Sequence, residues 1–163
     1  MRLTKKTSFG DVTAVEEDGK LVALEFGGNS QRTKSSPLLD ELFAQLELYF
    51  TGKLRYFSIP LAPEGTDFQQ SVWEQLLKIP YGKTVSYKEI AQRVGNPDAS
   101  RAIGMANHRN PIAILIPCHR VIAANGNLSG YAGGIDMKIK LLNLELGENV
   151  WTTNSSPKPS KKD

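Results

Sequence analysis

The chain has 163 residues, 40% of them hydrophobic, a single cysteine, and a formal net charge of +3 with a pI near 9.0. Its length suits one ordinary domain or two small ones, while one cysteine excludes an internal disulfide and points to a reducing compartment. No run approaches the ~18 apolar residues of a membrane span, and the basic N-terminus gives way to Ser8-Phe9-Gly10-Asp11 instead of an apolar signal core. A cytoplasmic protein is expected, whose modest positive charge permits a nucleic-acid partner without demanding one.

Residues 4–9, 12–16 and 21–26 are short runs punctuated by Gly10, Gly19 and Gly27-Gly28, the pattern of an antiparallel meander. A helix follows. Ser36 is its N-cap, Pro37 its first residue, Asp40 and Glu41 sit in the first turn, and Leu39, Leu42, Phe43, Leu46 and Phe50 form one stripe before Gly52. Residues 54–59 read as a further strand, and Pro60-Leu61-Ala62-Pro63-Glu64-Gly65 as a linker.

Thr66-Asp67-Phe68-Gln69 is a capping-box pattern opening a helix with Phe68, Val72, Leu76 and Ile79 at helical spacing, ended by Pro80-Tyr81-Gly82. Ser86-Tyr87-Lys88-Glu89 is a second such box, for a helix carrying Ile90, Ala91 and Val94 inward. After Asn96-Pro97, Asp98 is expected to cap a third helix that reaches Asn107 with Ala102, Ile103 and Ala106 inward. Two short helices across a glycine-containing turn suggest a helix-turn-helix. A helix that reads the major groove needs long polar side chains, whereas Ala99, Ser100, Ala102, Gly104 and Ala106 are small and only Arg101 is long near the N-terminus. That favours docking by shape, with one arginine as a probe.

Beyond Asn110-Pro111 lies the longest uninterrupted apolar run, residues 112–116, and then Pro117-Cys118-His119-Arg120. Asn125-Gly126-Asn127 signals a turn, Gly130-Tyr131-Ala132-Gly133-Gly134 a tight loop, and residues 135–146 a last helix stopped by Gly147. The Ser-, Pro- and Lys-rich end is expected to be disordered. The fold class is therefore α+β: an N-terminal antiparallel-sheet and helix domain over 1–60, a linker over 61–65, a mainly helical domain with the helix-turn-helix over 66–147, and a tail over 148–163.

A lone thiol beside an imidazole is either a nucleophile or a small buried hydrophobe. Neighbours in a strand point to opposite faces and neighbours in a helix diverge by about 100°, so a water bridge links Cys118 to His119 more simply than a direct hydrogen bond, unless the backbone turns sharply. A third group, for which Glu145 is one candidate among several acids, would fix the imidazole. One cysteine with His108 and His119 gives no spaced metal-ligand cluster.

Asn110-Pro111, Pro117-Cys118-His119-Arg120-Val121, Ser86-Tyr87, Arg101-Ala102 and Tyr131-Ala132-Gly133-Gly134, in this order, resemble the O6-alkylguanine-DNA alkyltransferases over residues 66–147. The resemblance implies a ribonuclease H-like first domain and a winged-helix-like second one. It also implies a monomeric, single-use repair protein that needs no cofactor, is nucleoid-associated in a prokaryote, and moves an alkyl group from O6 of guanine, with O4 of thymine as a further substrate, to its own cysteine. By that likeness Cys118 is the acceptor, His119 its base, Glu145 the carboxylate orienting the histidine, and Asn110 the brace of the turn. Tyr87 assists nucleotide extrusion and donates a proton. Arg101 fills the vacated stack, Ala99, Ser100 and Ala102 contact the minor groove of double-stranded DNA, and Val121, Tyr131, Ala132 and Gly133 line the base pocket.

Ala132 departs from the serine common among relatives, which leaves only a backbone amide there, and the absence of Cys and His before His108 argues against the zinc some relatives bind in the first domain. Two rivals remain: a lesion-binding helix-turn-helix module with an inert cysteine, and a cysteine hydrolase.

Overall fold

The computed structural model describes residues 1–28, 34–128 and 131–152. The chain divides into two compact units, Met1–Glu64 with Pro111–Leu115 and Gly65–Asn110 with Ile116–Asp163, and its class is α+β, as expected.

In the first unit β1 (Arg2–Thr7), β2 (Gly10–Glu17) and β3 (Lys20–Phe26) form an antiparallel meander. β1 begins and ends two residues earlier than the sequence pattern suggests. Phe9 instead lies in the turn, where it stacks on Phe50 with ring centroids 4.4 Å apart. Helix α1 (Pro37–Phe50) is capped by Ser36, whose hydroxyl accepts from Leu39 N–H at 3.1 Å, and it buries the expected stripe together with Gln45 and Tyr49. The strand expected over 54–59 does not form. Gln45 anchors that segment at Ser58 instead, accepting from Ser58 N–H and donating to the Ser58 hydroxyl, so one of its backbone donors is paired without a ladder. Leu61, inside the expected linker, pairs with β3 opposite Leu21.

The apolar run is not regular structure either. Ile112 pairs with Leu24, then Leu115 N–H donates to Ala113 O at 2.8 Å across Ile114, whose φ is 72°. This is a γ-turn of the strained kind, and for a β-branched residue positive φ is costly. Burial of Ile112, Ile114 and Leu115 offsets that strain.

The second unit starts with α2 (Asp67–Leu76), whose capping box between Thr66 and Gln69 is complete. The Ser86 half of the next box also forms, at the start of α3 (Tyr87–Arg93), but the Glu89 carboxylate turns outward to pair with Arg93 at 2.6 Å. Asp98 caps nothing. Ala99 N–H donates to Asn96 O, closing a turn that delays α4 (Ser100–His108) and puts Ala99 at its N-cap without a side-chain bond. Ala102 is exposed, contrary to expectation, and Asn107 is buried with Ile103 and Ala106. Two strands of two residues, β4 (Val85–Ser86) and β5 (Val121–Ile122), pair in parallel, and α5 spans Ile135–Leu146 before Gly147 in the left-handed conformation. Among the described residues no helix is long and apolar enough to cross a membrane.

The expected tail is in part ordered. Trp151 is 2% exposed, packs with Leu128, Ile139 and Leu142, and exchanges hydrogen bonds with the Asn143 amide at 2.9 and 3.1 Å. Gly130 and residues 153–163 lie outside the described residues.

Trp73 pins α2 to α4 through its indole N–H on Ala106 O at 2.9 Å. A Cβ on Gly65 would meet that ring at 2.5 Å. Gly65→Ala is therefore expected to cost about 1–3 kcal/mol through overpacking, read as a lower midpoint in urea. An unchanged midpoint would show that the ring gives way freely.

Candidate active site

Cys118 is placed by two sharp turns. Its N–H donates to Ile116 O at 2.7 Å around Pro117, whose φ of −79° and ψ of 65° describe an inverse γ-turn. Asn110 closes the outside of that turn by donating from Nδ2 to Ile116 O at 2.7 Å. Residues Cys118–Arg120 then form one 3-10 turn, so the motif is neither strand nor α-helix.

All three side chains of the turn are buried, with His119 wholly inside. A buried imidazole and guanidinium need partners, and both find Glu145 of α5. His119 Nε2 lies 2.8 Å from Glu145 Oε2, while Arg120 donates from Nε to Oε1 and from Nη2 to Oε2, each at 2.8 Å. Arg120 Nη1 also donates to Ile79 O at 2.7 Å, and Gly82 N–H reaches Glu145 Oε1 at 3.3 Å.

The charge states follow from these contacts. Burial alone would favour a neutral Glu145, but the charges and hydrogen bonds of His119 and Arg120 outweigh it and hold the carboxyl well below its usual range. Burial lowers the basicity of His119, against the pull of Glu145, so the ring is neutral at pH 7. A carboxylate only accepts hydrogen bonds, so the proton of the neutral ring is on Nε2. Nδ1 keeps its lone pair and has no hydrogen-bond partner among the described residues.

Burial raises the Cys118 thiol, while the Asn110 hydrogen bond and the nearby Lys138 oppose that rise. Lys138, on the inward stripe of α5, donates to Val121 O at 2.8 Å, and burial lowers its pKa to about 8. Tyr87 and Tyr131 are both raised by burial and by Cys118. Tyr131 is 8% exposed and its hydroxyl has no hydrogen-bond partner among the described residues.

The structure thus gathers Cys118, His119, Glu145, Asn110, Tyr87, Val121 and Tyr131. Ala132 and Gly133 are exposed beside them, and Arg101 and Ala102 are exposed on α4 with Ala99 and Ser100 half-buried. Sequence reasoning missed Arg120 as a clamp, Lys138 and Asn107. Lys138 had a signal, since it stands where the helical spacing of Leu141, Leu142 and Glu145 calls for an inward residue. Asn107 Nδ2 donates to Cys118 O at 3.3 Å, and no local pattern marks it.

Glu145 binds its proton more weakly folded than unfolded, so its stabilising contribution is complete above its ordinary value of 4.5 and fades as pH falls below it. Glu145→Gln leaves Arg120 charged and uncompensated, and is expected to cost about 3–5 kcal/mol at pH 7. Denaturant titrations should show that gap narrowing below pH 4.5. A constant gap down to pH 3 would contradict the assigned ion cluster.

Residues 67–147 match the model of the 6-O-methylguanine DNA methyltransferase DNA binding domain, and residues 3–63 that of the ribonuclease-like domain of the same proteins. A methylated-DNA--protein-cysteine methyltransferase of Methanosarcina acetivorans is 63% identical over 105 residues, covering 64% of this chain and 67% of that one. The constitutive methylated-DNA--protein-cysteine methyltransferase of Bacillus subtilis is 43% identical over 87% of this chain and 93% of its own. Among solved structures, Mycobacterium tuberculosis OGT in complex with DNA superposes with a TM-score of 0.82 at 46% identity, covering 90% of this chain and 92% of that chain. With both of its units matched in order, the chain belongs to the 6-O-methylguanine DNA methyltransferase family.

Proposed function

We propose that this protein repairs DNA by moving the alkyl group of an O6-alkylguanine onto Cys118 in a single turnover. The observation that carries the reading is a buried thiol followed directly by a neutral histidine whose tautomer a buried carboxylate fixes. The unshared pair on His119 Nδ1 takes the thiol proton, through a water. The Cys118 sulfur then forms a bond to the alkyl carbon as the bond from that carbon to guanine O6 breaks, and Tyr87 gives a proton to the departing base. The thiol's proton later returns from His119 to the Tyr87 oxygen, so that guanine and a thioether are the net products. Nothing here regenerates the thiol, which makes one transfer per molecule.

DNA is the partner through which the substrate arrives. A thiol this buried reaches a base only after the nucleotide leaves the duplex, at a cost of a few kcal/mol. The exposed Arg101, with the small residues Ala99, Ser100, Ala102 and Gly104 around it at the N-terminal half of α4, supports minor-groove docking, with the guanidinium entering the vacated stack. Val121, Tyr131, Ala132 and Gly133 line the pocket for the extruded base, Asn110 braces the turn behind the sulfur, and the protein acts as a cytoplasmic monomer.

Mixing with duplex DNA carrying O6-methylguanine should add one methyl mass to the Cys118 peptide, stopping at one equivalent, and Cys118→Ser should bind the same DNA without transfer. Lesion bound to completion with an unmodified Cys118 would refute the transfer. Arg101→Ala should slow transfer from duplex DNA at least about tenfold more than from free O6-benzylguanine, since only the duplex requires extrusion. Equal losses would remove the arginine from that role.

A further inference from the structure

Cys118 owes its place to the turn Ile116–Pro117–Cys118, and both ends of that turn are held at their carbonyls. The first, Ile116 O, accepts from Cys118 N–H and from Asn110 Nδ2, each at 2.7 Å. The last, Cys118 O, accepts from Val121 N–H within the 3-10 turn and from Asn107 Nδ2 at 3.3 Å. Asn107 lies on α4 and is 2% exposed. Because a carbonyl only accepts, its amide N–H and not its Oδ1 faces Cys118. The two asparagines are also tied to each other, Asn110 N–H donating to Asn107 O at 3.3 Å. Ala106, the residue before Asn107, gives its carbonyl to the Trp73 indole N–H at 2.9 Å, so α4 is fixed to α2 at this level.

A single 3-10 turn is short and its hydrogen bonds are poorly aligned, so it fixes a side chain weakly by itself. Transfer needs the sulfur in line with the alkyl carbon, and a misplacement of about 1 Å can cost about 10²-fold in rate. We propose that Asn107 is a positioning residue for transfer, which with Asn110 brackets the turn Ile116–Cys118, one side-chain amide on the carbonyl at each end, and so fixes where the Cys118 sulfur stands. Asn110 secures the end at which the chain enters the turn. Asn107 secures the end at which it leaves, and ties that end to α4 and, through the Trp73 bond, to α2. The inference rests on the reading of Cys118 as the alkyl acceptor and adds no group to the reaction, since Asn107 acts through the Cys118 backbone.

Single-turnover transfer from O6-methylguanine in saturating duplex DNA tests it, with rates taken per mole of protein that titrates as active, so that lost fold does not count as lost rate. Asn107→Leu, which removes the donor at similar size, is expected to slow transfer about tenfold or more. In the Cys118→Ser background the same change should alter binding of that DNA by less than about twofold. Because both amides hold one turn, the variant carrying Asn107→Leu and Asn110→Ala together should differ in rate from the product of the two single losses by at least about threefold. Asn107→Ala runs the same measurements if the leucine variant does not fold. An unchanged rate per active protein would leave Asn107 a structural residue and overturn the inference. So would losses that simply multiply, or a slowing matched by an equal loss of DNA affinity. A parent protein that leaves Cys118 unmodified would instead refute the transfer reading, and the inference with it.

Discussion

The second unit is organised around one buried carboxylate. Glu145 accepts from His119, twice from Arg120, and from Gly82 N–H, while Arg120 in turn reaches Ile79 O. A charge taken from water persists in an interior only when its partners and hydrogen bonds are complete. Satisfying this one ties α5 to the 3-10 turn behind Cys118 and to the chain that leaves α2. The geometry of the reacting group is therefore set by electrostatic necessity as much as by packing.

That arrangement divides labour between two pairs of groups. His119 is neutral and basic at the nitrogen that Glu145 does not occupy, which suits it to take a proton from a thiol that burial has made reluctant to ionise. Tyr87 is an acid whose anion is also disfavoured, by burial and by the neighbouring Cys118. Lys138, held at Val121 O, supplies a positive field near the sulfur. The resting site thus holds little charge on sulfur.

Much of this was legible in the sequence. Capping residues Ser36, Thr66 and Ser86 and the stop at Gly147 act locally, and each marks a helix end where expected. Cys118 and His119 stand out as a lone thiol beside an imidazole, whereas the choice of Glu145 among several acids and the role of Tyr87 come from family likeness, which encodes distant pairings that spacing does not. What is not legible depends on turns and tertiary partners that composition does not mark. Asp98 has the chemistry of a cap, but a turn closed by Ala99 and Asn96 displaces it. Residues 54–59 have the composition of a strand, yet no ladder forms there and the Gln45 side chain takes up Ser58 N–H. The run 112–116 has strand-like composition but folds through a γ-turn at Ile114, a conformation that no β-branched residue advertises.

Glu145 fixes His119 as the neutral tautomer protonated on Nε2, which leaves the lone pair on Nδ1. Nitrogen-15 NMR of imidazole-labelled protein at pH 7 reads this directly. The account requires Nε2 with a bonded proton and Nδ1 with the shift of an unprotonated ring nitrogen. A doubly protonated ring, or a proton on Nδ1 instead, would contradict it.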